Sequence, residues 1–169
     1  MTWLELVVIV VILLVLASIV WPFQGGGKAS ALKAMCVSNM KMEGISTLMY
    51  ATDFDDRLPP AATWATTNRP YAKSDEIYRC SEIRNHKSDQ FGHAFRSALQ
   101  RRKTTDLSAS EPMLFDSTDL SWDAHGGLDL LPPKGRHPDG KNSICFVDGH
   151  AQAMTADGLF AKVWAGRSK

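Results

Sequence analysis

Three patterns of apolar and polar positions succeed one another along this chain. From Leu6 to Phe23 the only polar side chain is Ser18, with Trp3 and Trp21 near the two ends. A helix of about 20 residues rising about 1.5 Å each matches a bilayer core of about 30 Å. Residues 2–22 are therefore expected to form a membrane-length helix. Pro22 interrupts the helix ladder where the run ends, and Gly25-Gly26-Gly27 follow.

The second pattern covers residues 28–52, where Ala31, Met35, Met42, Ile45 and Met49 recur at helical spacing. This predicts a second helix whose Met-rich stripe lies on the domain's own sheet. It should stop at Thr52-Asp53, before Leu58-Pro59-Pro60. From Asp53 to Ser110 turn formers dominate. Ala61 to Pro70 is small, polar and Thr-rich, and reads as an exposed loop able to carry a glycan.

The third pattern has period two. Residues 91–100 alternate loosely, Pro112–Asp116 reads as a strand, and Asn142 to Met154 reads as a hairpin. Asp148-Gly149 is favoured chemistry for a two-residue type I′ turn. That turn would pair Val147 with His150, Phe146 with Ala151, and Ile144 with Ala153. Ile144, Phe146, Ala151 and Ala153 would then cover the helix, with Cys145, Val147, His150 and Gln152 facing away.

The fold class is thus α+β: a long N-terminal helix packed against a C-terminal antiparallel sheet head. The helical part spans 1–53, with an apolar segment 1–24 and a head-packing segment 28–53. The head spans 54–169, enough chain for one modest core. With 19 Lys and Arg against 18 Asp and Glu, the net charge of +1 makes no electrostatic case for nucleic acid. Arg101-Arg102-Lys103 reads as a solvated turn.

Glu5 is the only ionisable side chain between Met1 and Gly27. A carboxylate inside an apolar span costs about 3 kcal/mol or more unless it is partnered. Either it stays wet at a membrane interface, or it meets an α-amino group from another copy. Met1-Thr2-Trp3-Leu4-Glu5-Leu6-Val7-Val8-Ile9, followed by Pro22, resembles the N-terminus of type IV pilins and type II secretion pseudopilins. The resemblance continues through Cys36-Val-Ser-Asn-Met-Lys-Met, Met49-Tyr50-Ala-Thr-Asp53, Leu58-Pro59-Pro60, Tyr78-Arg79-Cys80 and Phe146-Val-Asp148-Gly149-His150.

The resemblance implies a pilin-like fold and a structural subunit of a type IV pilus-like extracellular filament. It implies an N-methylated Met1, a Glu5 that neutralises a neighbour's amine, and a Pro22 where helix melts on assembly. The implied partners are identical subunits in a homopolymer, the bacterial inner membrane before assembly, and a prepilin peptidase with its assembly machinery. The implied location is the cell surface. A pseudopilin of a secretion system is one alternative, and a monomeric membrane-anchored binding or sensor domain is another. The family's short basic leader is absent. Lys28, Lys33 and Lys41 follow the apolar run with no Lys or Arg before it, which favours a mature chain. Ten residues separate His137 from Asp148, where the C-terminal motif of the subfamily has nine.

In an exported domain Cys36 and Cys80 are expected to form a disulfide, with Cys145 free; three buried thiols are the alternative. Asp116, Asp119, Asp123 and Asp129 supply oxygen ligands that would suit calcium. His125, His137, His150 and Asp148 can be combined on paper into a zinc site, without HExxH or CxxC spacing. No cofactor is assigned. With no Gly-x-Ser-x-Gly, Walker or dinucleotide motif, catalysis is not expected.

Overall fold

The computed structural model describes residues 2–20, 27–83 and 89–167. It divides into two compact units that meet between Ala31 and Leu32. Met1, Pro22, Gly25 and Gly26 lie outside the described residues.

The first unit is dominated by helix α1, Trp3–Val20. Its start is a reciprocal cap. The Thr2 N–H donates to Glu5 Oε2 at 2.8 Å, and the Glu5 N–H donates to Thr2 Oγ1 at 3.4 Å. Two of the orphan donors of a helix N-terminus are satisfied this way. Apolar side chains from Leu4 to Leu16 are all substantially exposed. The 18 residues of α1 rise about 27 Å. Among the described residues no helix is long and apolar enough to cross a membrane.

Helix α2, Gly27–Asp53, carries the chain into the head. It turns a different face inward from the one its methionines suggested. Met35, Ile45 and Met49 are exposed, while Cys36, Met40, Glu43, Ser46, Thr47, Tyr50 and Ala51 are buried. The buried set also repeats at steps of three and four, so periodicity alone fitted either face. The polar members satisfy themselves locally, because the Ser46 and Thr47 hydroxyls both donate to the Glu43 carbonyl. Asn68 Nδ2 in turn donates to Thr47 Oγ1.

Ala61 to Pro70 is not an exposed loop. It holds a turn of 3-10 helix at Ala61–Thr63 and then the short helix α3, Trp64–Asn68, with Trp64, Ala65 and Asn68 buried. Trp64 anchors it: the indole N–H donates to the Ala124 carbonyl at 2.9 Å, and its ring stacks on Phe95.

The strands are β1 His93–Arg96, β2 Pro112–Asp116, β3 His125–Gly126, β4 Asn142–Phe146 and β5 Ala151–Met154, in the order β3-β1-β2-β4-β5. All pairs are antiparallel except β1 with β3. A final helix α4, Ala156–Arg167, which the sequence pattern did not suggest, packs through the fully buried Leu159 on Ala94, Phe115, Ile144 and Phe146. The opposite face meets α2 and α3 through Met40, Trp64, Phe95, Met113 and Cys145. An irregular register between Pro112 and Leu114 lets the consecutive Met113 and Leu114 join the same cluster.

The hairpin lies where expected, but its register is one residue off. Cys145 pairs with Ala151, Ile144 with Gln152 and Ser143 with Ala153. The loop has three residues, Val147-Asp148-Gly149. The Gly149 N–H bonds the Phe146 carbonyl, and only Gly149, at φ +82°, is left-handed. This is a turn closed by a glycine bulge rather than type I′. A slip of one residue exchanges the two faces of a strand. The slip therefore brings Ala151 to the Cys145 face and Met154 to the Ile144 and Phe146 face. Cys145 itself points at α2, opposite to expectation, and Ile144 and Phe146 point at α4.

Candidate functional site

Between α2 and the sheet lies a sealed cluster of ionisable side chains. Alternation puts His93 of β1, Asp116 of β2 and Ser143 of β4 on the α2-facing side. Gly44 lets the helix come this close, since a Cβ there would overlap Cys145 Sγ. Glu43, one residue earlier, then reaches His93, with Oε1 2.5 Å from Nδ1. His93 Nε2 lies 3.5 Å from Asp116 Oδ1, and Asp116 Oδ2 lies 3.4 Å from His137 Nε2. The Ser143 N–H donates to Asp116 Oδ2 at 2.6 Å, and Ser143 Oγ sits 3.0 Å from His137 Nε2.

Glu43, Asp116 and Ser143 have no solvent exposure, and His93 and His137 almost none. An uncompensated charge there would be very costly, so the carboxylates and imidazoles neutralise one another. Burial opposes the charged form of His93, but Glu43 and then Asp116 outweigh it and raise the imidazole to about 9. Burial pushes the Glu43 carboxyl above its usual range, with His93 pulling the other way. Burial also opposes a charged His137, yet Asp116 holds it above the ordinary value.

Two thiols adjoin this network. Cys36 Sγ of α2 and Cys80 Sγ are 3.0 Å apart without a bond between them. Ser81 supports Cys36 twice, through its hydroxyl at 3.0 Å and its N–H at 3.1 Å. The hydrogen bond from Cys80, followed by that from Ser81, outweighs burial and lowers Cys36 to about 6; the same sulfur contact pushes Cys80 strongly upward. Cys145 stands apart, and burial pushes it up to about 12.

Among the described residues two sets of three ligand-type side chains have their donor atoms within 4.8 Å of one another: Cys36, Cys80 and His137, and Cys80, His93 and Asp116. The sequence pointed to Cys36, Cys80, His137 and Asp116 separately, for other reasons. It missed Glu43, His93 and Ser143 altogether. The available signal was the 36-40-43-47-50 spacing on α2, which places a glutamate on a face otherwise built for packing.

The remaining candidates lie elsewhere. Asp119 accepts from the Ser121 N–H and hydroxyl, and Asp123 accepts from the N–H groups of Ala65 and Thr66, so both brace loops. Asp119, Asp123 and Asp129 belong to neither ligand set, and nor do His125, His150 and Asp148. His150 stacks on Phe146 and meets Asp148 Oδ1 at 2.5 Å beside the turn. Glu5 is the cap of α1. No family model, curated protein or solved structure matches this chain.

Proposed function

We propose that this chain is a structural subunit of a type IV pilus-like filament, assembled through α1 and carrying its head outside the helical core. The observation behind this reading is the circumference of α1. Its apolar side chains are exposed on every side of the helix, with one carboxylate in the first turn. A surface apolar all round calls for lipid or for other helices. A bundle of identical segments replaces the first with the second through close packing.

Glu5 suits a role in that exchange. Its carboxylate already accepts the Thr2 N–H, and an ionised carboxylate has about four acceptor sites, leaving room for a neighbour's ammonium at the same end of the helix. The exposed Met35, Ile45 and Met49 of α2 add an adaptable apolar stripe for contact between neighbours. A pseudopilin would share these features, and the resemblance implies an N-methylated Met1 in either case.

The test is filament yield in the native host. Glu5→Ala should leave the chain in the membrane fraction and deplete it from sheared filaments, because a neighbour's amine would be buried without a counter-charge. Wild-type yield from Glu5→Ala would reject charge pairing. A chain absent from any filament would favour the monomeric membrane-anchored alternative.

A further inference from the structure

We propose that the head binds one zinc ion between α2 and the sheet, through Cys36 Sγ, Cys80 Sγ, His137 Nδ1 and His93 Nε2. The inference does not depend on what α1 does. It starts from polar atoms that are buried without partners. Among the described residues these include His137 Nδ1, and also His93 Nε2 and Asp116 Oδ1, which lie 3.5 Å from each other without a hydrogen bond. Buried polar groups nearly always find partners, so a convergence of orphans asks for an explanation.

The two histidines are arranged alike. His93 has Nδ1 on the Glu43 carboxylate and an Nε2 that makes no hydrogen bond, 3.5 Å from Asp116 Oδ1. His137 has Nε2 beside Ser143 Oγ and Asp116 Oδ2, and Nδ1 unpartnered. A metal-ligating histidine characteristically gives its second nitrogen to a carboxylate, which fixes the tautomer and turns the other lone pair to the metal. Glu43 and Asp116 are then the orienting carboxylates.

The sulfurs complete the set. Cys36, Cys80 and His137 already lie within 4.8 Å of one another; His93 lies within that distance of Cys80 and Asp116 in a second set, and would have to close on the other two ligands. Two thiolates on a tetrahedral zinc at about 2.3 Å stand about 3.8 Å apart. The present 3.0 Å therefore needs to open by less than an ångström. Two thiolates cancel the charge of the ion, and with two imidazoles they make a closed structural site suited to zinc. Binding displaces the thiol protons to solvent. A surface groove of about 620 Å³ reaches Ser81, which touches Cys36, and offers a way in.

The experiment is a metal count on the full-length chain, purified in detergent without chelators or added reductant. About one zinc per chain is expected, retained in Cys145→Ser and lost in Cys80→Ser and His137→Gln. Cobalt exchanged into the wild type should give intense tetrahedral visible bands and a thiolate-to-cobalt charge-transfer band. Should Cys80→Ser fail to fold, the wild-type zinc count and cobalt spectrum decide alone. Zinc-free wild type that takes up neither metal after dialysis against it overturns the proposal. So does an intact mass two hydrogens light with a Cys36–Cys80 linked peptide, because the same sulfurs cannot serve both bonds.

Discussion

Glu43 on α2 and His93 on β1 face each other at 2.5 Å with no water access to either, so the helix and the sheet are joined by a buried charge pair. Such pairs contribute little over an apolar substitute, but removing one partner leaves the other buried without its hydrogen bond or counter-charge. Glu43→Ala should therefore lower the unfolding free energy of the head by about 3–5 kcal/mol. Urea denaturation followed by tryptophan fluorescence checks this, and a loss under about 1 kcal/mol would mean the pair is not charged in the folded head.

Gly44 and Cys145 set the spacing between α2 and β4. Gly44→Ala should destabilise by about 1–3 kcal/mol through overpacking. Cys145→Ala should be milder and should recover part of that loss in the double variant, since a Cβ on Gly44 would meet the very sulfur removed. Strict additivity of the two changes would show that the helix rides elsewhere on the sheet.

Cys145 should resist alkylation in the folded head. It is fully buried and its thiol is pushed up to about 12, leaving almost no thiolate at neutral pH. Mass spectrometry after a brief iodoacetamide pulse should find it unmodified until denaturant is added. Rapid native labelling would show that Cys145 is not sealed between β4 and α2.

Asp148 supplies a pH-dependent contribution at the hairpin. Partial burial alone would raise its carboxyl, but the His150 N–H and ring outweigh that and hold it below the ordinary value. A lowered folded value gives stability that is present above the unfolded value, near pH 4, and lost as pH falls through the folded one. At an exposed site the amount is a fraction of 1 kcal/mol. Asp148→Asn should flatten this part of the acid limb in thermal melts between about pH 5 and pH 2. An unchanged limb would show that the contact with His150 is absent in solution.

The long apolar run, α2, β2 and the location of the last hairpin were legible because each has a strong local cause: apolar length, helical spacing, alternation, and Asp-Gly. What stayed hidden depended on partners distant in sequence. The methionine stripe of α2 was the more apolar choice, yet the helix buries Glu43, Ser46 and Thr47, whose polarity is met by His93, by Asn68 and by the helix's own carbonyls. Turn length decided the register of β5 on β4, and both turn types contain Asp148-Gly149. Trp64 turned a polar, Thr-rich stretch into packed helix. The convergence of Cys36 and Cys80 with His93, Asp116 and His137 needed five segments brought together by the fold, and no spacing rule reports that.

The placement of α4 has a consequence for biosynthesis. Strands β2 and β4 are buried on both faces, and the outer one is closed by Leu159 together with Lys162, whose ammonium sits 3.9 Å above the Phe146 ring. A ribosome makes β1, β2 and β4 before it makes α4. Until then Phe115, Ile144 and Phe146 form a naked greasy plateau, open to any passing chaperone or sister chain. Completion of this head is thus a late event on the translation clock, and a product cut short after Met154 would be sticky rather than merely loose.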